Sequence, residues 1–385
     1  MIKKLKEKLT FMQKCYDERN IENVDALMVD IFGSEGRPII IGTGNDEWSF
    51  EEKSLRELFV NDWKYWGDFV MNLDLLQCSY NDKFGNFSVP AGVSYDVDDE
   101  KNYKRLLDSF KDVMESNNSA LYKLSYFLWR SSLTLSPREN SKRKYISELN
   151  LTGIFEIVNN EPVMRSLHFA VAMDINAPDI TIEKEKMYSE GYEETQTSLQ
   201  NYIAVNKTTE NQKITDSIIE KILALLHNEK ACLSTNNQDF FISTNFKHYD
   251  SLQFKGIISS VINDGYKINI DKNNIYISQS EDEFYFIGIG SMISAVDLEH
   301  EVNKIFKNID CYNNIGSNKD TIFALRRDLA YVLNKYSISQ TCTAPIRIEG
   351  RGVVNGCEDI IINYFKLSYP NDWFLEDKTK YVRSI

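Results

Sequence analysis

The feature that most constrains this chain is that it repeats itself. Tyr103, Leu106, Leu107 and Phe110 form an apolar stripe at i, i+3, i+4 and i+7, and Val302, Ile305, Phe306 and Ile309 form the same stripe about 200 residues later. The helix that follows repeats too, Leu121, Leu124 and Leu128 answering to Ile322, Leu325 and Leu329. The run Ile39-Ile40-Ile41-Gly42-Thr43 answers to Phe240-Phe241-Ile242-Ser243-Thr244, and a closing strand around Phe169 and Val171 answers to Phe365 and Leu367. A sequence that keeps its apolar periods twice builds the same elements twice, with small changes of spacing taken up in loops. The 385-residue length fits that division, since a single core rarely grows so large.

Each copy reads as helices (2–19 and 22–32; 212–228), a short strand, a helix (54–66; 251–263), two strands (69–80 and 85–96; 266–279 and 283–295), two more helices (98–133; 297–334) and a closing strand pair (143–158 and 162–174; 343–354 and 358–369). Asn159-Asn160 and Asn355-Gly356 stand at the closing turns, where residues tolerant of positive φ are needed. The expected fold is therefore α+β: in each copy an antiparallel meander with helices on one face. The first copy spans 1–177 and the second 211–376. The polar stretch 178–210 between them reads as a linker with a helix near 183–203.

Charge and composition remove several function classes. A net charge of −13 opposes a nucleic-acid backbone, and Lys3, Lys4, Lys6 and Lys8 alternate with Ile2, Leu5, Leu9 and Met12 as the solvated side of an amphipathic helix. No apolar run reaches the about 20 residues a membrane helix needs, and the N-terminus lacks the apolar core of a signal peptide. Six scattered cysteines without a CxxC suit reduced thiols, so a cytoplasmic location is expected. His168, His227, His248 and His300 have no metal-ligand spacing, and Gly42-Thr43-Gly44 and Gly288-Ile289-Gly290 lack the remainder of a nucleotide-binding loop. Neither a metal nor a cofactor is expected.

The segment Ile39–Leu73, with its GTGNDEW turn and DWKYWGD helix end, resembles the SnoaL-like branch of the nuclear transport factor 2-like superfamily. That resemblance implies two tandem cone-shaped domains, each a curved sheet wrapped on helices around a pocket, paired sheet to sheet within one chain. The extra helical pair in each copy departs from the family pattern. The fold hosts isomerases, cyclases and non-catalytic binders alike, so it does not select a function.

Candidate site residues concentrate in the first copy. Leu55, Leu58, Phe59, Asp62, Trp63 and Trp66 share one helix face, so an acid interrupts an apolar stripe. In a pocket, desolvation would suit Asp62 to acid–base work; at the stripe's edge it would simply accept a hydrogen bond. Glu47 and Trp48, at the entry to this helix, read either as a polar anchor and pocket wall or as capping and packing residues. On the closing strand, Ser166, His168, Ala170 and Ala172 share a small-residue face, which the resemblance turns toward the cone and toward Asp62; the alternative is a structural histidine. Trp48, Trp63, Trp66 and Trp129 all lie in the first copy, against Trp373 alone in the second. The expectation is a small apolar or aromatic ligand in the first cone, with acid–base catalysis left open; the competing expectation is a non-catalytic protein-interaction module.

Overall fold

The computed structural model describes residues 1–34, 38–42, 48–50, 52–65, 68–96, 144–171, 196–206, 212–228, 233–243, 247–263, 266–295, 341–355 and 359–368, with scattered positions between 107 and 127. It is a mixed α+β structure with two seven-stranded sheets.

The first sheet contains β1 (Ile39–Ile41), β2 (Trp48–Ser49), β3 (Asp68–Met71), β4 (Gln77–Tyr80), β5 (Phe84–Asp96), β6 (Lys144–Val158) and β7 (Glu161–Val171). Its order is β2-β1-β7-β6-β5-β3, with β4 also on β5. The second contains β8 (Phe240–Ser243), β9 (Lys247–Tyr249), β10 (Tyr266–Asn269), β11 (Ile275–Ser280), β12 (Glu283–Ala295), β13 (Thr341–Asn355) and β14 (Asp359–Ser368). Its order is β9-β8-β14-β13-β12-β10, with β11 also on β12, so the two sheets share one topology.

Two features differ from the sequence reading. The sheets are not pure meanders: β1 pairs parallel to β7, and β8 parallel to β14, joining the first strand of each unit to its last. The strands expected over 69–80 and 266–279 are each broken. Short 3-10 turns at Leu73–Leu75 and Lys272–Asn274 separate β3 from β4 and β10 from β11. Pro90, opposite the first break, brings no N–H to the ladder, and its carbonyl accepts from Asn72 N instead. At the second break Gly290 lies against Asn269 and Ile270, where a Cβ would collide.

The repeat extends to irregularities. Both closing hairpins carry a register shift, at Ile154/Phe155 and at Arg351/Gly352, which locally increases strand twist. Phe87 lies across from Gly153 and Phe286 from Gly350, and each ring fills the space where a glycine Cβ would stand. Asn159 and Asn160 turn the first closing hairpin with φ of 53° and 62°, in the left-handed region asparagine tolerates.

Helices cover one face of each sheet. In the first unit α1 (Ile2–Glu18), α2 (Val24–Phe32) and α3 (Glu52–Tyr65) bury Leu5, Leu9, Leu27, Ile31, Leu55 and Phe59 against Phe87, Leu151 and Leu167. In the second, α4 (Gln212–Leu226) and α5 (Ser251–Asn263) bury Ile218, Ile222, Phe254 and Ile258 against Phe286, Ile348 and Phe365. Of the inserted helical pairs, the scattered positions between 107 and 127 are helical, with the Phe110 and Phe127 rings 4.1 Å apart, and 297–334 lies outside the described residues. No helix among the described residues is long and apolar enough to cross a membrane.

The faces turned away from the helices meet each other. Ile39, Ile41, Phe84 and Ile154 of the first sheet form one apolar cluster with Tyr285, Ile287, Ile289 and Tyr364 of the second. Leu199 and Tyr202, from the helical residues 196–206, complete it. At one end the Glu283 carboxylate accepts from the backbone N–H groups of Asp82, Lys83 and Phe84 at 2.8, 3.0 and 2.9 Å, so the hairpin tip of one unit rests on the tip of the other.

Candidate functional site

The sequence-derived candidates do not form one constellation. Asp62 and Trp63 sit under the helices: Trp63 is buried, with its ring 6.1 Å from Tyr16 and 6.5 Å from Phe59. The Tyr16 hydroxyl donates to Asp62 Oδ2 at 2.8 Å. Burial and the facing carboxylate push the Tyr16 phenol well above its usual range, so it stays a neutral donor. Trp48 lies elsewhere, half-buried at the seam between the sheets, stacked on Phe50 at 5.8 Å. Glu47 and Trp66 lie outside the described residues.

His168 corrects the expectation drawn from the resemblance. Leu167 and Phe169 of β7 point to the helices, Phe169 meeting Phe69 at 6.1 Å, so His168 between them points into the inter-sheet seam. Asp62 and His168 thus stand on opposite sides of the first sheet and make no acid–base pair. Bulky apolar side chains took the helix-facing side, leaving the smaller polar face of β7 to meet the second sheet.

At that seam lies a charged layer. Glu349 on β13 is fully buried and accepts from Thr152 Oγ1 at 2.7 Å, Tyr364 Oη at 2.7 Å and Ser166 Oγ at 3.2 Å. Lys366, also buried, donates to Thr152 Oγ1 at 2.8 Å, so one hydroxyl links cation and carboxylate. Burial alone would raise the Glu349 carboxyl, but its surroundings, the Lys366 ammonium and the Thr152 hydroxyl among them, outweigh it and hold it below the usual carboxylate range. Burial, only partly offset by Glu349, brings Lys366 down to about 7. Burial first, then Lys366, depresses His168 to about 3, leaving a neutral ring. Its Nδ1 lies 3.8 Å from Glu349 Oε1, beyond hydrogen-bond reach. Farther along, Arg351 donates to Asn86 Oδ1 at 2.5 Å and to Ser79 Oγ at 2.7 Å, and stands 3.4 Å from Asp239.

Where this seam reaches the surface beside the 3-10 turn at 73–75, it opens into a cleft of about 460 Å³. Leu75, Leu76 and Pro90 supply apolar walls, and Gln77, Ser88, Asn150 and His248 supply polar ones; Asp74 stands at the rim, paired with Lys6 at 2.9 Å. Ser88 Oγ donates to Asn150 Oδ1 at 3.0 Å and lies 2.8 Å from His248 Nε2. His248 Nδ1 lies 2.5 Å from Gln77 Oε1. Burial, then Lys366, depresses His248 to about 4. Asn150 is only 2% exposed, and its Nδ2 has no hydrogen-bond partner among the described residues. A buried amide N–H left unpaired costs on the order of 1–3 kcal/mol, so a ligand acceptor reaching it would be favoured.

The charged layer and the cleft had only a partial trace in the sequence. Arg347, Glu349 and Arg351 stand at alternate positions of a strand, which puts three charges on one face. A strand with that face in water would read the same way; it is buried by first-sheet residues such as Thr152 and Ser166, far away in sequence. Among the described residues no group of three or more His, Cys, Asp or Glu is arranged to hold a metal ion. Comparison with models of known families and with curated proteins found no match.

Proposed function

We propose that this chain is a small-molecule-binding protein of the SnoaL-like type, at work in the cytoplasm, with its ligand seated in the inter-sheet cleft rather than in the first cone. The observation that carries this reading is the buried, unpartnered Asn150 amide at a cleft with apolar walls. The helix-facing interior of the first unit supports it by contrast, since Leu55, Phe59 and Trp63 are packed against the sheet there. Acid–base catalysis by Asp62 and His168 together finds no support, because the two lie on opposite faces of that sheet.

Ligand-observed saturation-transfer NMR against a panel of small apolar and aromatic compounds tests the reading. Leu75 is 57% exposed at the cleft wall, so Leu75→Trp fills the cleft without disturbing the core. Binding is expected in the parent protein and in Trp63→Phe, and is expected to be lost in Leu75→Trp. Binding sensitive to Trp63→Phe alone would return the ligand to the first cone. The second reading, a protein-interaction module, is favoured by the exposed apolar side chain of Leu75 on the turn between β3 and β4. Complete silence of the panel would leave that reading standing.

A further inference from the structure

The repeat gives the open cleft a counterpart in the other unit, and the chain itself fills that counterpart. The 3-10 turn at Leu73–Leu75 answers to the one at Lys272–Asn274. Gln77 pairs with Ser88 across β4 and β5 as Tyr276 pairs with Ile287 across β11 and β12. His248 stands opposite Ile242 as Trp48 stands opposite Ile41. Leu75, Gln77, Ser88 and His248 of the cleft therefore have Asn274, Tyr276, Ile287 and Trp48 as counterparts.

The helical residues 196–206 lie on those counterparts. Leu199 and Tyr202 join Tyr276 and Ile287 in one buried cluster, with Trp48 and Ile203 packed against it. The Tyr202 ring stands 5.0 Å from Tyr276 and 5.8 Å from Phe50, which in turn stacks on Trp48. Gln200 Nε2 donates to Asn274 Oδ1 at 2.8 Å. Leu199, Tyr202 and Ile203 recur at i, i+3 and i+4, the spacing by which an amphipathic helix fills a groove, and no residue from 196 to 206 is charged. Under this cover Asn274 is 1% exposed and Tyr276 is buried. Among the described residues nothing covers the open cleft in this way: Leu75 is 57% exposed, and Gln77 is exposed too. The covered position thus carries asparagine and the uncovered one leucine, the reverse of what contact with water favours.

We propose that the cleft docks an amphipathic helix of a partner protein, uncharged on its docking face and carrying a leucine and an aromatic residue one turn apart. This step rests on the cleft being the binding site and goes beyond a free small molecule. The apolar residues of the helix rest on Leu75, Leu76 and Pro90. Where the filled groove offers Tyr276, Ile287 and Trp48, the open one offers Gln77, Ser88 and His248, so the partner helix carries an amide or hydroxyl side chain beside its apolar residues, as the resident helix carries Gln200. A small apolar or aromatic ligand uses the same walls, so ligand and helix exclude each other.

The probe is a fluorescein-labelled peptide of residues 195–207, held helical by a hydrocarbon link between positions 201 and 205, because a free helix this short is marginal in water. The link lies on the outer side, where Val205 is 70% exposed. Fluorescence polarisation is expected to show saturable binding to the parent protein, weakened at least about tenfold by Leu75→Asp in the protein and by Leu199→Asp in the peptide. Leu75 is exposed, so Leu75→Asp leaves the core untouched. A compound of the small-molecule panel that is blocked by Leu75→Trp is expected to displace the peptide. Peptide binding with a silent panel would remove the small ligand and keep the helix. No peptide binding at millimolar concentration would overturn the helix, and a panel compound blocked by Leu75→Trp would then still keep the small ligand. Peptide binding indifferent to Leu75→Asp, or to such a compound, would place it elsewhere and overturn the proposal. Self-association of the parent chain that Leu75→Asp abolishes in light scattering would make the occupant a second copy and overturn the partner helix.

Discussion

The two faces that meet at the seam have the same topology and opposite character. The first sheet contributes Asn86, Ser88, Asn150, Thr152, Ser166 and a neutral His168, all buried and none carrying a charge. The second contributes Glu283, Arg347, Glu349, Arg351 and Lys366. Two copies of the charged face would oppose like cations across a dry interface, and two copies of the neutral face would leave no counter-group for any charge. The units are complementary: one brings the ions and the other brings hydroxyls and amides that meet them. That fixes which surface meets which, because a buried ion without its hydrogen-bond partners costs several kcal/mol.

The sharpest way to break this contrast is to remove a charge from one face and a neutral partner from the other. Glu349→Ala leaves Lys366 buried without its carboxylate and takes an acceptor from Thr152, Tyr364 and Ser166. The expected loss is about 3–5 kcal/mol, read from urea unfolding. Thr152→Val removes the linking hydroxyl only, and should cost about 1–3 kcal/mol. Equal losses would mean that the charged face is energetically no different from the neutral one.

A smaller effect appears in the pH dependence, where the two faces act on different limbs. His168 is held near 3 in the folded state against about 6.5 unfolded. As pH falls through that window the unfolded chain takes up the proton first, so stability present at neutral pH is lost toward pH 3. His248, at about 4, acts in the same direction. Glu349, whose folded carboxyl is depressed, adds its own loss below about pH 4.3. Lys366 acts on the alkaline side: folded near 7 and unfolded near about 10.4, it makes stability rise with pH between those values. Each group contributes a slope of at most about 1.4 kcal/mol per pH unit. His168→Gln should flatten the acid limb between about pH 6.5 and 4.5, and Lys366→Met the alkaline limb, in urea midpoints taken across pH. An acid limb unchanged by His168→Gln would show that the imidazole is not buried neutral.

The parts of this molecule that were legible from sequence are those fixed by local period. Apolar stripes on Leu5, Leu9 and Met12, or on Leu55, Phe59 and Trp63, announce helices and the side each one buries. The asparagines at 159 and 160 announce their turn. What stayed hidden depends on choices made across the chain. Alternation on β7 separates Leu167 and Phe169 from Ser166 and His168, but a strand does not say which face meets helices and which meets a second sheet. The breaks at 72–76 and 270–274 were likewise invisible, being set by Pro90 and Gly290 on a neighbouring strand. The cleft needs His248 from one unit beside Ser88 and Asn150 of the other, a juxtaposition that no local pattern encodes.

The smallest effect tests the other side of the first sheet, where polar groups are few. Tyr16 and Asp62 bridge α1 and α3 beneath the helices, and the Tyr16 ring keeps its contacts with Phe59, Trp63 and Phe69 when the hydroxyl is gone. Tyr16→Phe should therefore cost only about 1 kcal/mol, and Asp62→Asn less, since the amide oxygen still accepts from the phenol. Thermal unfolding followed by circular dichroism resolves losses of that size. A loss in Tyr16→Phe as large as that in Glu349→Ala would show that the helix-facing side depends on its polar pair as heavily as the seam depends on its ions, and the division between an apolar interior and an ionic seam would fail.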